Sequence, residues 1–183
     1  EWIGPVLDRG AWGLYLPHFN TAEDAEMAVS AAKYYPQGMR GTMGATRTNK
    51  FGYEMSGAEY MQKANEETFI IGLVEEVEGI NNLDAMLKVD GIDAIWVGCG
   101  DLSQSMGYPG LRDHPEVVKA MDEAIKKIVA SGKIAGVATT EPLMQHYMEL
   151  GALLFHGLVQ GIVQEGVESY MSRRRAEIAT LSK

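Results

Sequence analysis

One cysteine, Cys99, is all the thiol chemistry that 183 residues offer. An intrachain disulfide framework is therefore excluded. Net positive charge is missing too, the formal balance being −9. That argues against nucleic acid and anionic membranes as partners, because both are gripped through basic patches. No apolar run approaches a membrane-spanning length, and no signal peptide is visible. The expected compartment is the cytoplasm. Low-complexity tracts, linkers and sequence repeats are lacking as well. What remains is an ordinary globular composition, 46% apolar and 22% charged. The length suits one domain over residues 1–183 with one sizeable core. The chain starts at Glu1, inside what reads as a helix, so an N-terminal part is expected to be missing.

The recurring pattern is a strand followed by a helix. Trp12 to Pro17 is a short apolar run with strand character, and Thr21-Ala-Glu-Asp24 then opens a helix in capping-box fashion, to about Lys33. Tyr35 to Gly41 is rich in turn residues and begins a long loop to about Ser56. Tyr60 to Glu66 reads as helix, Phe69 to Val74 as strand, Asn81 to Lys88 as helix and Ala94 to Val97 as strand. Pro115 stands at a helix N1 position, ahead of an apolar stripe that Gly132 stops. Ala135 to Ala138 is a strand, Pro142 to Leu150 a helix, Leu153 to Val159 a last strand, and a helix runs to the C-terminus. Short, almost wholly apolar strands imply burial on both faces, hence a parallel sheet. A doubly wound sheet and a closed barrel both satisfy this α/β rhythm. A complete (β/α)8 TIM barrel needs roughly 250 residues. On that reading the first three strands or so are missing.

Alternation along a strand puts Ile71, Leu73 and Glu75 on one face, with Glu75 at the carboxyl end. Barrel active sites sit at that end. Asp101 comes just after the carboxyl end of the next strand, and neighbouring strands lie about 4.8 Å apart. Two carboxylates so placed can reach one divalent cation and leave its other positions to water and substrate. A structural role is open for each: Asp101 as a helix N-cap, Glu75 as a solvated strand-end residue like Glu76 and Glu78. Gly98 and Gly100 let backbone N–H groups approach a ligand, or simply make a tight turn. The spacing is not that of a dinucleotide fingerprint, which fails at Ser103.

No pair among the four histidines has metal-ligand spacing. His18 ends a strand and could face the site. His114 reads as a helix-start residue, His146 as solvated, and His156 as a buried, hydrogen-bonded strand residue. Cys99 reads as a buried structural thiol.

Several motifs then line up together: Leu7-Asp-Arg-Gly-Ala11, Leu16-Pro-His18, Tyr35-Pro-Gln-Gly-Met-Arg-Gly41, Glu75 with Asn82-Leu-Asp84, Gly91 to Gly98, Asp101-Leu-Ser103, Met106-Gly-Tyr-Pro109 and His114-Pro-Glu-Val117. In this order and spacing, over nearly the whole chain, they resemble the HpcH/HpaI aldolase family. The resemblance implies a (β/α)8 barrel. It also implies cleavage or formation of 4-hydroxy-2-oxo acids through a pyruvate enolate held on Mg²⁺, Mn²⁺ or Co²⁺. It makes Glu75 and Asp101 the metal ligands and gives the pyruvate carboxylate to the backbone at Gly100 and Asp101. Asp8 becomes the aspartate that raises the basicity of a catalytic histidine. Partners are then a small 2-oxo acid and an aldehyde. The assembly is a trimer of dimers that exchanges C-terminal helices.

The chain departs from that pattern in places. The family's catalytic histidine and enolate-stabilising arginine belong to strands before Asp8. Leu73 stands where a glutamine contacts substrate. Gly98-Cys-Gly-Asp101 replaces Gly-Pro-Ala-Asp, and Gly157-Leu-Val-Gln160 replaces Gly-x-Asp. Arg40 matches an Arg-Gly pair whose role is either substrate binding or loop support. Two other functions compete with the aldolase. One is a CoA-thioester lyase, against which the absence of a basic cluster in the sequence argues. The other is a non-catalytic or altered-substrate paralogue.

Overall fold

The computed structural model of the chain describes residues 2–43, 46–139 and 141–181. Five strands form one parallel sheet: β1 (Gly13–Leu16), β2 (Phe69–Val74), β3 (Ala94–Gly98), β4 (Ile134–Ala138) and β5 (Leu154–Phe155). Their spatial order is β1-β2-β3-β4-β5. A doubly wound sheet reverses order at a switch point, whereas a barrel wall runs in sequence order. The sheet is therefore an arc of a barrel.

Helices carry the chain between strands. Helix α1 (Ile3–Asp8) precedes β1, and α2 (Ala22–Ala32) and α3 (Gly57–Glu67) lie between β1 and β2. Helix α4 (Val77–Met86) follows β2, while α5 (Cys99–Ser105) and α6 (Pro115–Ala130) follow β3. Helix α7 (Glu141–Glu149) follows β4, and α8 (Val159–Leu181) follows β5.

Strand alternation divides the sheet into two faces. Leu14, Ile70, Val74, Ile95, Val97, Ala135 and Val137 point outward and bury against Ala25, Val29, Leu83, Met121, Ile125 and Ile128 of the helices. This is the main core. The other face carries Tyr15, Leu73 and Trp96, with Leu73 paired in register to Trp96. Tyr15 meets Trp96 edge-on, ring centroids 5.5 Å apart.

The start signals read from sequence are realised as bonds. Thr21 Oγ1 accepts from the Asp24 amide at 3.1 Å, and Asp24 Oδ2 accepts from the Thr21 amide at 2.9 Å. Pro115 opens α6, where the His114 ring accepts from the Glu116 amide at 3.3 Å.

Several elements differ from expectation, α3 among them, which starts at Gly57 rather than Tyr60. Helix α4 starts at Val77 rather than Asn81, because Ser105 Oγ accepts the Val77 amide at 3.0 Å and caps it from another helix. The loop 35–56 contains a 3₁₀ turn, Lys50–Gly52. Strand β5 is only two residues long, so His156 falls outside it and is exposed rather than buried. Its ring packs 5.3 Å from that of Trp96. His146 is likewise not simply solvated: its Nε2 pairs with Asp122 at 2.8 Å.

Candidate active site at the carboxyl ends of the strands

Glu75 follows the last residue of β2 and is 6% exposed. The backbone around it is held by the β1–α2 loop. The Phe19 amide donates to the Leu73 carbonyl at 3.1 Å. A Cβ on Gly72 would fall 2.3 Å from the Phe19 ring, so only glycine there lets this loop lie down on β2. The loop then delivers the His18 amide to Glu75 Oε1 at 3.2 Å. His18 adopts φ 51°, a left-handed conformation unusual for a residue with a side chain.

The other side of Glu75 faces β3. A Cβ on Gly98 would sit 3.5 Å from Glu75 Oε2 and 3.3 Å from Leu73 Cδ1. Leu73 and Glu75 thus share the inner face, Leu73 being the deeper. Burial is the main force raising the Glu75 pKa. The His18 amide opposes it, and the Asp101 carboxyl pushes up again, so the two acids sit close together.

Asp101 is not an N-cap. That position belongs to Gly98, and Asp101 lies in the exposed first turn of α5. The first amides of a helix have no partner inside it, so the N–H groups of Gly100 and Asp101 are available to an anion. The Arg112 guanidinium approaches the same turn, 3.9 Å from where a Gly100 Cβ would be. Cys99 beside it is buried, and burial raises its thiol pKa.

Sequence reasoning missed the role of Glu76. Its Oε1 accepts from His18 Nδ1 at 2.7 Å, and its Oε2 accepts from Asn20 Nδ2 at 2.7 Å. These bonds hold its carboxyl below the usual range, so Glu76 is a bound anion rather than a solvated one. Nothing in the local pattern announces this, because its partners lie 56 and 58 positions away.

Asp8 and Arg40 are brought together, but elsewhere. Arg40 Nη2 donates to Asp8 Oδ1 at 2.6 Å, and its guanidinium lies 4.7 Å above the Tyr34 ring. Arg40 lines a cavity of about 380 Å³ with Trp12 and Thr68, which precede β1 and β2. Arg9, Arg47, Lys50 and Lys63 also line it. Glu54 and Glu67 line it too and pair with Lys50 and Lys63, so the cavity is mixed in charge. It lies at the amino ends of the strands, a six-residue strand away from Glu75, about 20 Å at the usual rise.

Among the described residues, no three His, Cys, Asp or Glu side chains converge to hold a metal ion. The protein donors at the candidate site are therefore two carboxylates, one buried. No lysine or arginine forms an ion pair with Glu75 among the described residues; His18 Nδ1, 3.9 Å from its Oε1, is the group in range that carries positive charge when protonated. A buried acid beside a second acid is costly without a counter-charge. Two carboxylates with open positions around them fit a hard divalent cation that keeps water and substrate oxygens.

Comparison with known proteins identifies the family and the fold. The model of the HpcH/HpaI aldolase/citrate lyase family matches residues 1–173. The chain is 40% identical over 151 residues to a hydroxypyruvate/pyruvate aldolase of Cupriavidus necator, covering 81% of this chain and 55% of that one. It is 37% identical over 187 residues to a 4-hydroxy-2-oxo-heptane-1,7-dioate aldolase of Salmonella paratyphi C, covering 97% and 66%. A solved HpcH/HpaI aldolase/citrate lyase family protein from Burkholderia cenocepacia superposes with a TM-score of 0.86 at 27% identity, over 94% of this chain and 68% of that one. The chain thus spans between about half and two thirds of the length of these relatives. In sequence and in fold, the chain belongs to the HpcH/HpaI aldolase/citrate lyase family.

Proposed function

We propose that the protein is a divalent-metal-dependent aldolase, a carbon–carbon lyase that cleaves or forms 4-hydroxy-2-oxo acids by way of pyruvate. The observation that carries this reading is Glu75: a buried carboxyl beside Asp101, with no lysine or arginine pairing it among the described residues. Glu75 and Asp101 would hold Mg²⁺, Mn²⁺ or Co²⁺. Once bound, such a cation supplies positive charge where negative charge grows on the 2-oxo acid. The chain's own groups do the rest of the binding. The amides of Gly100 and Asp101 orient the substrate carboxylate at the start of α5. Leu73 lines the floor beside the 2-oxo group and offers it no hydrogen bond. Leu73 and Trp96, both nearly covered, keep that floor apolar.

By resemblance, Asp8 would raise the basicity of a catalytic histidine, and Arg40 would serve substrate binding or loop support. Their pairing at the amino ends of the strands supports a part played away from this chain's own Glu75, such as at a neighbouring subunit. Helix α8 supports an assembly. It exposes Ile162, Val163, Val167, Tyr170 and Met171 to solvent, an apolar surface suited to burial against another copy, as in a trimer of dimers. No described helix is long and apolar enough to cross a membrane, which is compatible with work in the cytoplasm on small 2-oxo acids and aldehydes.

The test is exchange of pyruvate methyl protons with deuterated water, followed by NMR, together with Mn²⁺ binding by calorimetry. The wild-type protein should do both, EDTA should stop the exchange, and Glu75→Gln should lose both. Metal binding without exchange would favour a non-catalytic paralogue, a reading that Leu73 keeps open. Full exchange in Glu75→Gln would end the proposal.

A further inference from the structure

One polar side chain on the inner face of the sheet has no part yet in the proposed chemistry. Tyr15 is paired in register with Ile71, so it shares the face of Ile71, Leu73 and Glu75. Continued across the sheet, that register line reaches Ala94 of β3. The Tyr15 ring does not stay on that line. It meets Trp96 edge-on, at 79° with centroids 5.5 Å apart, and Trp96 lies two residues nearer the carboxyl ends of the strands.

Gly136 decides which of the two rings leaves its level. Trp96 is paired with Gly136, and a Cβ there would fall 2.5 Å from the indole Cε3. The indole therefore keeps to its own level and fills room that only glycine leaves. Tyr15 does the climbing. Strands β1 and β3 stand about 10 Å apart with β2 between them. A ring that starts on β1 and touches Trp96 thus crosses the inner face of β2. It arrives beside Leu73, the register partner of Trp96, directly below Glu75 in the strand alternation.

This brings a hydroxyl to a floor that otherwise has no donor to offer. Leu73 carries no polar atom, and the Trp96 N–H is sealed within the fold. Tyr15 is 48% exposed, and its hydroxyl makes no hydrogen bond among the described residues. A phenol is protonated at neutral pH in any case. Burial and the nearby Glu75 carboxyl push this one further up, to about 12. Tyr15 is therefore a neutral donor within Coulombic reach of Glu75, with no acceptor supplied by the described chain.

We infer that Tyr15 is a substrate-binding residue, whose hydroxyl donates a hydrogen bond to the 2-oxo oxygen of the acid held at Glu75. This deepens the aldolase reading and rests on it. The bond fixes the tilt of the 2-oxo group above Leu73. It strengthens as negative charge grows on that oxygen. No proton changes hands, and the phenol stays neutral throughout.

Tyr15→Phe removes one oxygen and keeps the ring against Trp96. In the whole protein, pyruvate affinity read by NMR titration should weaken several-fold. The kcat/KM of pyruvate proton exchange should fall about tenfold, the size of one lost hydrogen bond. Mn²⁺ affinity by calorimetry, the thermal melt and the near-ultraviolet circular dichroism should all stay at wild-type values. Leu73→Gln in the Tyr15→Phe background brings a donor to the same floor from β2 and should recover part of the loss. Exchange in Tyr15→Phe within about twofold of wild type overturns the inference and leaves the aldolase reading standing. A loss that comes with weaker Mn²⁺ binding or a lower melt also overturns it, because Tyr15 then supports Glu75 or the packing rather than the substrate. A wild-type protein that exchanges no pyruvate protons sinks the aldolase reading itself, and this inference with it.

Discussion

Gly98 and Glu75 touch so closely that a methyl group on the first would press on the second, 3.2 Å from Cβ to Cβ. The backbone at Gly98, φ −97° and ψ 110°, suits any residue. Gly98→Ala therefore acts through the contact alone. Glu75 must shift by a few tenths of an ångström, away from the position set by the His18 amide. Displacing the support of a metal ligand typically costs about 10- to 100-fold in affinity. Mn²⁺ calorimetry on Gly98→Ala should show a loss in that range with circular dichroism unchanged. Wild-type affinity would mean that Glu75 is not the ligand.

Leu73 lies beneath Glu75 on the inner face, where it can pack but cannot donate. Leu73→Gln adds a donor toward the 2-oxo group, worth about 0.5–1.5 kcal/mol if made. The KM for pyruvate in the exchange assay should drop, by up to roughly tenfold. A KM that stays or rises marks Leu73 as a packing residue only.

The Asp8–Arg40 pair should respond unequally to its two deletions. Arg40 is the buried member, 3% exposed against 31% for Asp8. Asp8→Asn strands a buried guanidinium, and breaking such pairs costs about 3–5 kcal/mol. Arg40→Met leaves a carboxylate that water can reach, so its cost should be smaller, about 1–2 kcal/mol. Urea denaturation of the two variants checks the order. Equal losses would mean that water already screens the pair.

Lys33 is nearly covered, and its ammonium donates to the carbonyls of Asn65 and Thr68 at 2.7 and 2.6 Å. Burial lowers its pKa from the ordinary 10.5, with Asp93 opposing. Between the lowered value and 10.5 the unfolded chain holds the extra proton, so unfolding free energy rises with pH across that window. Lys33→Met lacks the proton and should lack that increment. It also abandons two carbonyls, at a cost of about 1–3 kcal/mol near neutrality. The wild-type advantage in denaturant melts should therefore widen from pH 7 toward pH 10.5. An advantage that narrows contradicts the sign.

The helix and strand positions were largely legible because they rest on local signals: the Thr21-to-Asp24 box, Pro115, and the apolar runs of β2 and β3. Glu75 and Asp101 were legible for the same reason, as acids placed just after such runs. What local pattern could not supply was chain crossing. Barrel against doubly wound order hangs on which strands are neighbours. The early start of α4 hangs on Ser105 reaching over to Val77. The charged cavity gathers Arg9, Arg40, Arg47 and Lys63, with Glu54 and Glu67, from three separate segments. The anchoring of His18 by Glu76 depends on a glycine at position 72 that admits Phe19. Strand β5 was overdrawn because Leu153 to Val159 is apolar, yet its pairing with β4 ends after Phe155.

Trp96 gives the protein an optical property of its own. It is one of three tryptophans, and the other two, Trp2 and Trp12, are 73% and 78% exposed. Trp96 is buried, and its indole N–H has no acceptor among the described residues. An indole in dry, unbonded surroundings emits at shorter wavelength than one in water. A water-borne quencher such as acrylamide should silence Trp2 and Trp12 first and leave a blue residual band. That band comes from the residue paired in register with Leu73, so changes on the floor of the site can be followed by light, without a label.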